Sequence, residues 1–143
     1  MANSITITTL VDGPRNVVLK VAGIVDTADV PYTLLVDPAA LSDIGPFAGV
    51  KATSLRIDKM NYDIQNEASS QFRIYWDTNG TLAGAVLAWS LVGRGEVDGK
   101  RYGGFPNPKP AGWSGKIYYA TSGDFIGNPL TFDFTLEMVK CSN

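Results

Sequence analysis

Leu130-Thr131-Phe132-Asp133-Phe134-Thr135-Leu136-Glu137-Met138-Val139 is the stretch that decides the fold. Every second residue from Leu130 to Met138 is large and apolar, and the residues between are mostly polar. That period of two is the mark of a strand with one face in a core and the other toward water. The same rhythm runs through the rest of the chain. Ile5 and Ile7 alternate with Thr6 and Thr8, Asn16 to Val25 forms a second and more apolar run, and Pro31 to Val36 a short third. From Thr53 the parity changes: Leu55 and Ile57 share one face, whereas Met60, Tyr62 and Ile64 share the other. A switch near Asp58-Lys59 predicts a β-bulge or a strand that bends from one sheet to another.

Phe72, Ile74 and Trp76 alternate with Arg73, Tyr75 and Asp77, and the polar stretch Gln65 to Ser70 leads into them. Asp77-Thr78-Asn79-Gly80 then reads as a hairpin turn, because Asn-Gly accepts the positive φ that two-residue hairpins need. Thr81 to Val92 pairs back, and Lys116 to Thr121 is a further strand. Asp12-Gly13-Pro14-Arg15-Asn16 is a turn between the first two strands, with Asp12 placed to cap its backbone. Asp37-Pro38-Ala39-Ala40-Leu41-Ser42 fits a short helix or 3₁₀ piece with proline in its first turn, and Gly45 to Gly49 a loop. From Gly93 to Gly115, seven glycines and Pro106, Pro108 and Pro110 argue for a long loop.

These segments amount to about eight strands, and no stretch of ten or more residues follows a 3.6-residue period. The expected architecture is all-β: one domain over residues 1–143, an antiparallel β-sandwich, jelly-roll-like, with one long Pro/Gly-rich loop. An immunoglobulin-like sandwich and a barrel are the alternatives, the first without its Cys…Trp…Cys signature.

Composition narrows function. There is no histidine and only one cysteine, Cys141. Histidine is the usual general base near neutral pH and the commonest metal ligand. Its absence removes Ser-His-Asp and Cys-His catalysis and imidazole-bound zinc. One thiol forms neither an internal disulfide nor a cysteine cluster, which fits synthesis in a reducing compartment. The expectation is a protein without enzymatic activity, metal or cofactor. A net charge of −2 argues against a nucleic-acid partner, which would demand clustered Lys and Arg. Charged residues are only 18% of the chain, and neutral surface suits contact with proteins. No apolar run is long enough to span a membrane and no signal peptide is read. Asn79-Gly80-Thr81 matches a glycosylation acceptor but reads as a turn.

Candidate sites divide by chemistry. The 93–115 segment carries Arg101, Tyr102, Phe105, Pro106 and Trp113, either as anchors for a partner on a proline-stiffened arm or as a crossover covering an open sandwich edge. Arg15, in the first turn, is a further candidate contact and pairs with Asp12 or with a partner carboxylate. Among carboxylates, Asp58 and Asp63 share one segment, and Asp124, Asp133 and Glu137 lie near the end. Asp133 and Glu137 share a face but stand about 13 Å apart at strand rise, too far for a glycosidase pair. The Asp77 turn resembles the start of a calcium loop but lacks the downstream acidic ligands. Trp76, Trp89 and Trp113, with Tyr75, Tyr118 and Tyr119, raise the alternative of a sugar-stacking platform. Trp76 falls on the core parity, while Tyr75 and one of Tyr118 and Tyr119 face outward.

Asp12-Gly13-Pro14-Arg15-Asn16, the apolar strand ending near Asp26-Thr27, Leu55-Arg56-Ile57-Asp58, Tyr75-Trp76-Asp77 and Phe134-Thr135-Leu136-Glu137-Met138-Val139-Lys140 together resemble small virion proteins of tailed bacteriophages. The likeness spans most of the chain, and its motifs are structural. It implies a capsid decoration, or cement, protein made in the bacterial cytoplasm. Such a protein sits on the outer surface of the head, bridges major capsid protein subunits and is a homo-oligomer, with a trimer favoured. The reaching elements would be Met1–Thr6 and the 93–115 loop. A tail, neck or head-fibre component and a carbohydrate-binding host-recognition module are the alternatives.

Overall fold

The computed structural model describes residues 3–26, 29–46, 48–65, 71–122 and 129–142. Among these, ten strands form two antiparallel sheets. The strands are β1 (Ser4–Asp12), β2 (Asn16–Val25), β3 (Thr33–Val36), β4 (Ser54–Gln65), β5 (Gln71–Thr78), β6 (Thr81–Leu91), β7 (Gly93–Asp98), β8 (Phe105–Pro106), β9 (Trp113–Ser122) and β10 (Leu130–Cys141). The first sheet runs β1-β2-β10-β4-β7, with β8 also paired to β4; the second runs β3-β9-β5-β6. From β2 to β5 each successive strand changes sheet, so neighbours in sequence face each other across the core rather than pairing.

The alternating residues of β10 meet at the centre. Leu130, Phe132, Phe134, Leu136 and Met138 are all buried. Phe72 of the opposite sheet stacks on Tyr119 at 5.2 Å between centroids and meets Phe132 and Phe134 at 4.9 and 4.8 Å. Burying large apolar side chains from both sheets supplies the main drive for closing the sandwich.

Local chemistry placed several elements as the sequence implied. Asn79 and Gly80 both take positive φ, 55° and 73°, the geometry of the right-twisted two-residue hairpin. Pro38–Ala40 is a 3₁₀ turn capped by Asp37, whose carboxylate accepts from the Ala39 N–H at 3.0 Å. The parity switch in β4 is a bulge. Glu137 faces Lys59 and Met138 faces Ile57, which leaves Asp58 without an opposite residue. β4 stays in one sheet throughout.

The reading of 93–115 as one long loop is corrected. β7 lies at a sheet edge, paired through Lys59–Ile64 of β4, where half its backbone groups face solvent and glycine costs less than in a central strand. At Gly95 a Cβ would stand 2.7 Å from the Tyr62 hydroxyl, so a side chain there would have to displace the end of Tyr62. A 3₁₀ turn at Lys100–Tyr102 and the two-residue β8 follow, and Trp113 already begins β9. The two strands beyond the eight read from sequence, β7 and β8, both come from this segment.

Candidate interaction surface

The two outer faces of the sandwich differ in kind. On the first sheet, charges pair across strands, Lys59 with Glu96 at 3.2 Å, Arg94 with Asp63 at 3.2 Å and Lys20 with Asp133 at 3.6 Å, and Lys100 of the 3₁₀ turn pairs with Glu137 of β10 at 3.0 Å. In the Asp58 bulge, Arg56 holds Asp58 at 2.7 Å. Asp58, Asp63, Asp133 and Glu137, which the sequence offered for catalysis, are thus each matched to a cation, Asp58 in a buried setting and the others on the solvated side. Asp124 lies outside the described residues.

The outer face of the four-strand sheet carries a neutral row instead. Leu34 of β3 is opposite Tyr118 of β9, Tyr118 opposite Tyr75 of β5, and Tyr75 opposite Leu87 of β6. The row crosses the whole sheet. Leu34 and Leu87 are 40% and 50% exposed. Tyr32, just before β3, stacks on Tyr118 at 4.3 Å and 13°, and meets Tyr75 edge-on at 5.7 Å. Of the two tyrosines competing to face outward in β9, Tyr118 does so, and Tyr119 joins the core.

Beneath this row lies Asp77, 1% exposed. Its carboxyl group accepts from the Tyr32 hydroxyl at 2.6 Å, the Ser114 hydroxyl at 2.5 Å and the Gly80 N–H at 3.1 Å. Those three donors account for the calcium-like motif: the oxygens fix the hairpin and clamp Tyr32 in its stack. Burial, followed by the hydrogen bond to Asp77, raises the Tyr32 pKa well above the ordinary tyrosine range, so the phenol remains a donor.

The candidates named from sequence do not gather in one patch. Arg101 and Tyr102 are exposed on the 3₁₀ turn, Tyr102 at 82%. Phe105 is half-buried against Trp89 at 5.3 Å. With Pro106, Pro108, Ile57, Met60 and Trp76 it lines an apolar cleft of about 230 Å³ at the flank of the sandwich. Trp113 pairs with Thr78 beside the Asn79-Gly80 turn and carries Lys109 over its ring at 5.3 Å. Arg15 is exposed in the β1–β2 turn.

The partner of Asp12 is not Arg15 but Lys140. The Lys140 ammonium is fully buried and reaches Asp12 Oδ1 at 2.7 Å, Gly13 O at 2.6 Å, Ser42 O at 2.8 Å and Ser42 Oγ at 2.9 Å. Burial acts to raise the Asp12 pKa, but hydrogen bonds from Lys140 and Ser42 outweigh it and hold the carboxyl below its ordinary value. This staple joins the first turn, the segment after the 3₁₀ turn and the end of β10. Sequence reasoning missed it, although Lys140 falls on the same parity as Leu136 and Met138, where a lysine needs a partner.

Among the described residues no group of three or more Cys, Asp or Glu is placed to hold a metal ion, and no helix is long and apolar enough to cross a membrane. In comparisons with known proteins, no family model, no curated sequence and no solved structure matches the chain.

Proposed function

We propose that this chain is a structural, non-catalytic virion protein of the capsid-decoration type. In this reading it docks on the outside of a phage head and bridges major capsid protein subunits as a homo-oligomer. The resemblance of its strand and turn motifs supplies the class of partner, and the surface supplies the mode of contact. Strand order supports a jelly roll: β2-β10-β4-β7 faces β3-β9-β5-β6, with β1 as an added outer strand and β8 as a short addition to β4.

The observation that carries the proposal is the row Leu34–Tyr118–Tyr75–Leu87 with Tyr32 upon it. Protein interfaces favour aromatic anchors and deplete charge at their centre. The exposed Leu34 and Leu87 and the half-buried Tyr32 and Tyr118 have that character, with Tyr75 buried as their support, and the ion-paired face opposite does not. A rigid row on a sheet also needs little ordering on docking. For sugar stacking, coplanar aromatics must offer open ring faces. Tyr32 and Tyr118 turn one face each on the other, and Tyr75 is only 8% exposed, which favours protein contact over carbohydrate.

Cosedimentation with capsids stripped of this protein tests the reading. Saturable binding at tens to hundreds of copies per shell is expected. The double variant Leu34→Lys/Leu87→Lys should weaken it by at least about tenfold, or 1.4 kcal/mol, while Lys20→Ala on the opposite face leaves it unchanged. Wild-type protein that fails to bind intact heads would defeat the decoration role. Low copy number at one vertex or along the tail would transfer the chain to the tail or neck.

A further inference from the structure

The four lateral edges of the sandwich are unequally protected against pairing with another chain. β3 is only four residues long, with Pro31 and Pro38 near its ends. β7 alternates charges along its length at Arg94, Glu96 and Asp98. β6 is interrupted by two register shifts. Short length, proline, charge and bulges are the usual means of blunting an edge. β1 has none of them over Ser4–Thr9, where it pairs with Ile24–Leu19 of β2 in unbroken register. No charged residue occurs from Ser4 through Val11.

β1 is also poorly covered. The first sheet is five strands wide, not counting the short β8, against four in its partner, and eight of the nine β1 residues are exposed. Ile5 and Ile7 share the core-side face with Gly23 and Val21, whereas Thr6 and Thr8 share the outer face with Ala22 and Lys20. Ile7 remains 40% exposed, and Leu10 and Val11 54% and 46%.

We propose that β1 pairs antiparallel with β1 of a second copy of this chain, about a two-fold axis normal to the sheet. This goes beyond the capsid reading, since it concerns contact between copies and not the shell. Such an axis keeps the two core-side faces together, so opposed residues must share parity. Two such registers centred on the strand place isoleucine against isoleucine, Ile7 on Ile7 or Ile5 on Ile7, with Thr6 opposite Thr8 or Thr6, respectively, on the outer face. Both are favourable cross-strand pairs, and a neutral strand meets its own copy without like-charge repulsion. The contact is isologous and builds pairs, not the trimer that the resemblance implies. Its strength is limited by area. A standard interface uses about 20–30 residues a side, and β1 offers eight apart from Asp12. The pair is therefore weak and concentration-dependent, and it forms most readily where copies already stand side by side.

Sedimentation velocity of the full chain from micromolar to millimolar concentration tests this, together with amide exchange. A reversible monomer–dimer equilibrium is expected, with exchange at Ser4–Thr9 slowing as concentration rises. Thr6→Lys/Thr8→Lys, on the exposed outer face, should raise the dimer Kd at least about tenfold with its Tm unchanged. A chain that stays monomeric at millimolar concentration would overturn the proposal. So would a closed trimer, or a dimer that survives the lysine pair and is instead lost with Leu82→Lys on β6. The exchange measurement uses the unaltered chain, so it decides the matter even if the lysines loosen β1.

Discussion

Replacing Asp12 by alanine should cost far more than a half-exposed surface ion pair would. The Lys140 ammonium has no solvent exposure, whereas the Asp12 side chain keeps 28%, so the two partners are not equivalent. In Asp12→Ala the cation stays buried with three neutral acceptors, Gly13 O, Ser42 O and Ser42 Oγ. Its N–H groups are satisfied and its charge is not. Removing one member of a buried pair costs about 3–5 kcal/mol, and the surviving hydrogen bonds place this case near 3. Unfolding entropy of about 2.1 cal/mol/K per residue makes that about 10 °C of Tm for 143 residues. Lys140→Met should cost less, because the exposed side of Asp12 can hydrate. The double variant should be more stable than Asp12→Ala alone. The pH dependence has a definite sign. The folded-state pKa of Asp12 is lowered, so its contribution is present above the unfolded value near 4 and is lost as pH falls through the folded value. The gap in Tm between wild type and Asp12→Ala, followed by calorimetry from pH 7 to 3, should therefore narrow in acid. A loss below 3 °C for Asp12→Ala, or strict additivity with Lys140→Met, would refute the argument that an unpaired buried charge sets the cost.

Tyr32→Phe removes one of three donors to the buried Asp77 carboxyl and should cost about 1–3 kcal/mol; a Tm within 1 °C of wild type would show the clamp to be idle. Gly115 has φ +83°, and a Cβ there would collide with the Thr53 carbonyl, so Gly115→Ala should lose about 3 kcal/mol or more, read as a lower denaturation midpoint. Gly23→Ala would drive a methyl group against the Ser4 carbonyl and the Ile5 Cα. Amide protection of Ser4–Thr6 should vanish while the Tm falls only a few degrees, because β1 buries little; retained protection would contradict the close approach.

Much of the fold was legible because its signals are local. Strand parity in β10, the Asn79-Gly80 hairpin, the first turn and the Asp58 bulge each depend on backbone chemistry within a few residues. β7 was not legible. Its glycines argue for a loop in isolation, and become a strand only because β4 offers Lys59–Ile64 to pair with. The candidate site was legible in part: Tyr75 and a β9 tyrosine were placed outward by parity, but Leu34, Leu87 and Tyr32 had no signal of their own.

By itself the sequence determined an all-β chain, its face-by-face pattern, its main turns and its lack of imidazole chemistry. Only the tertiary structure decided which strands are neighbours, and with that which side chains meet. Sheet order brings Leu34, Tyr75, Leu87 and Tyr118 into one row and seals Lys140 against Asp12 from the far end of the chain. Periodicity fixes the face on which a side chain lies, but the residues beside it are set by pairing between strands distant in sequence, where no local pattern reaches.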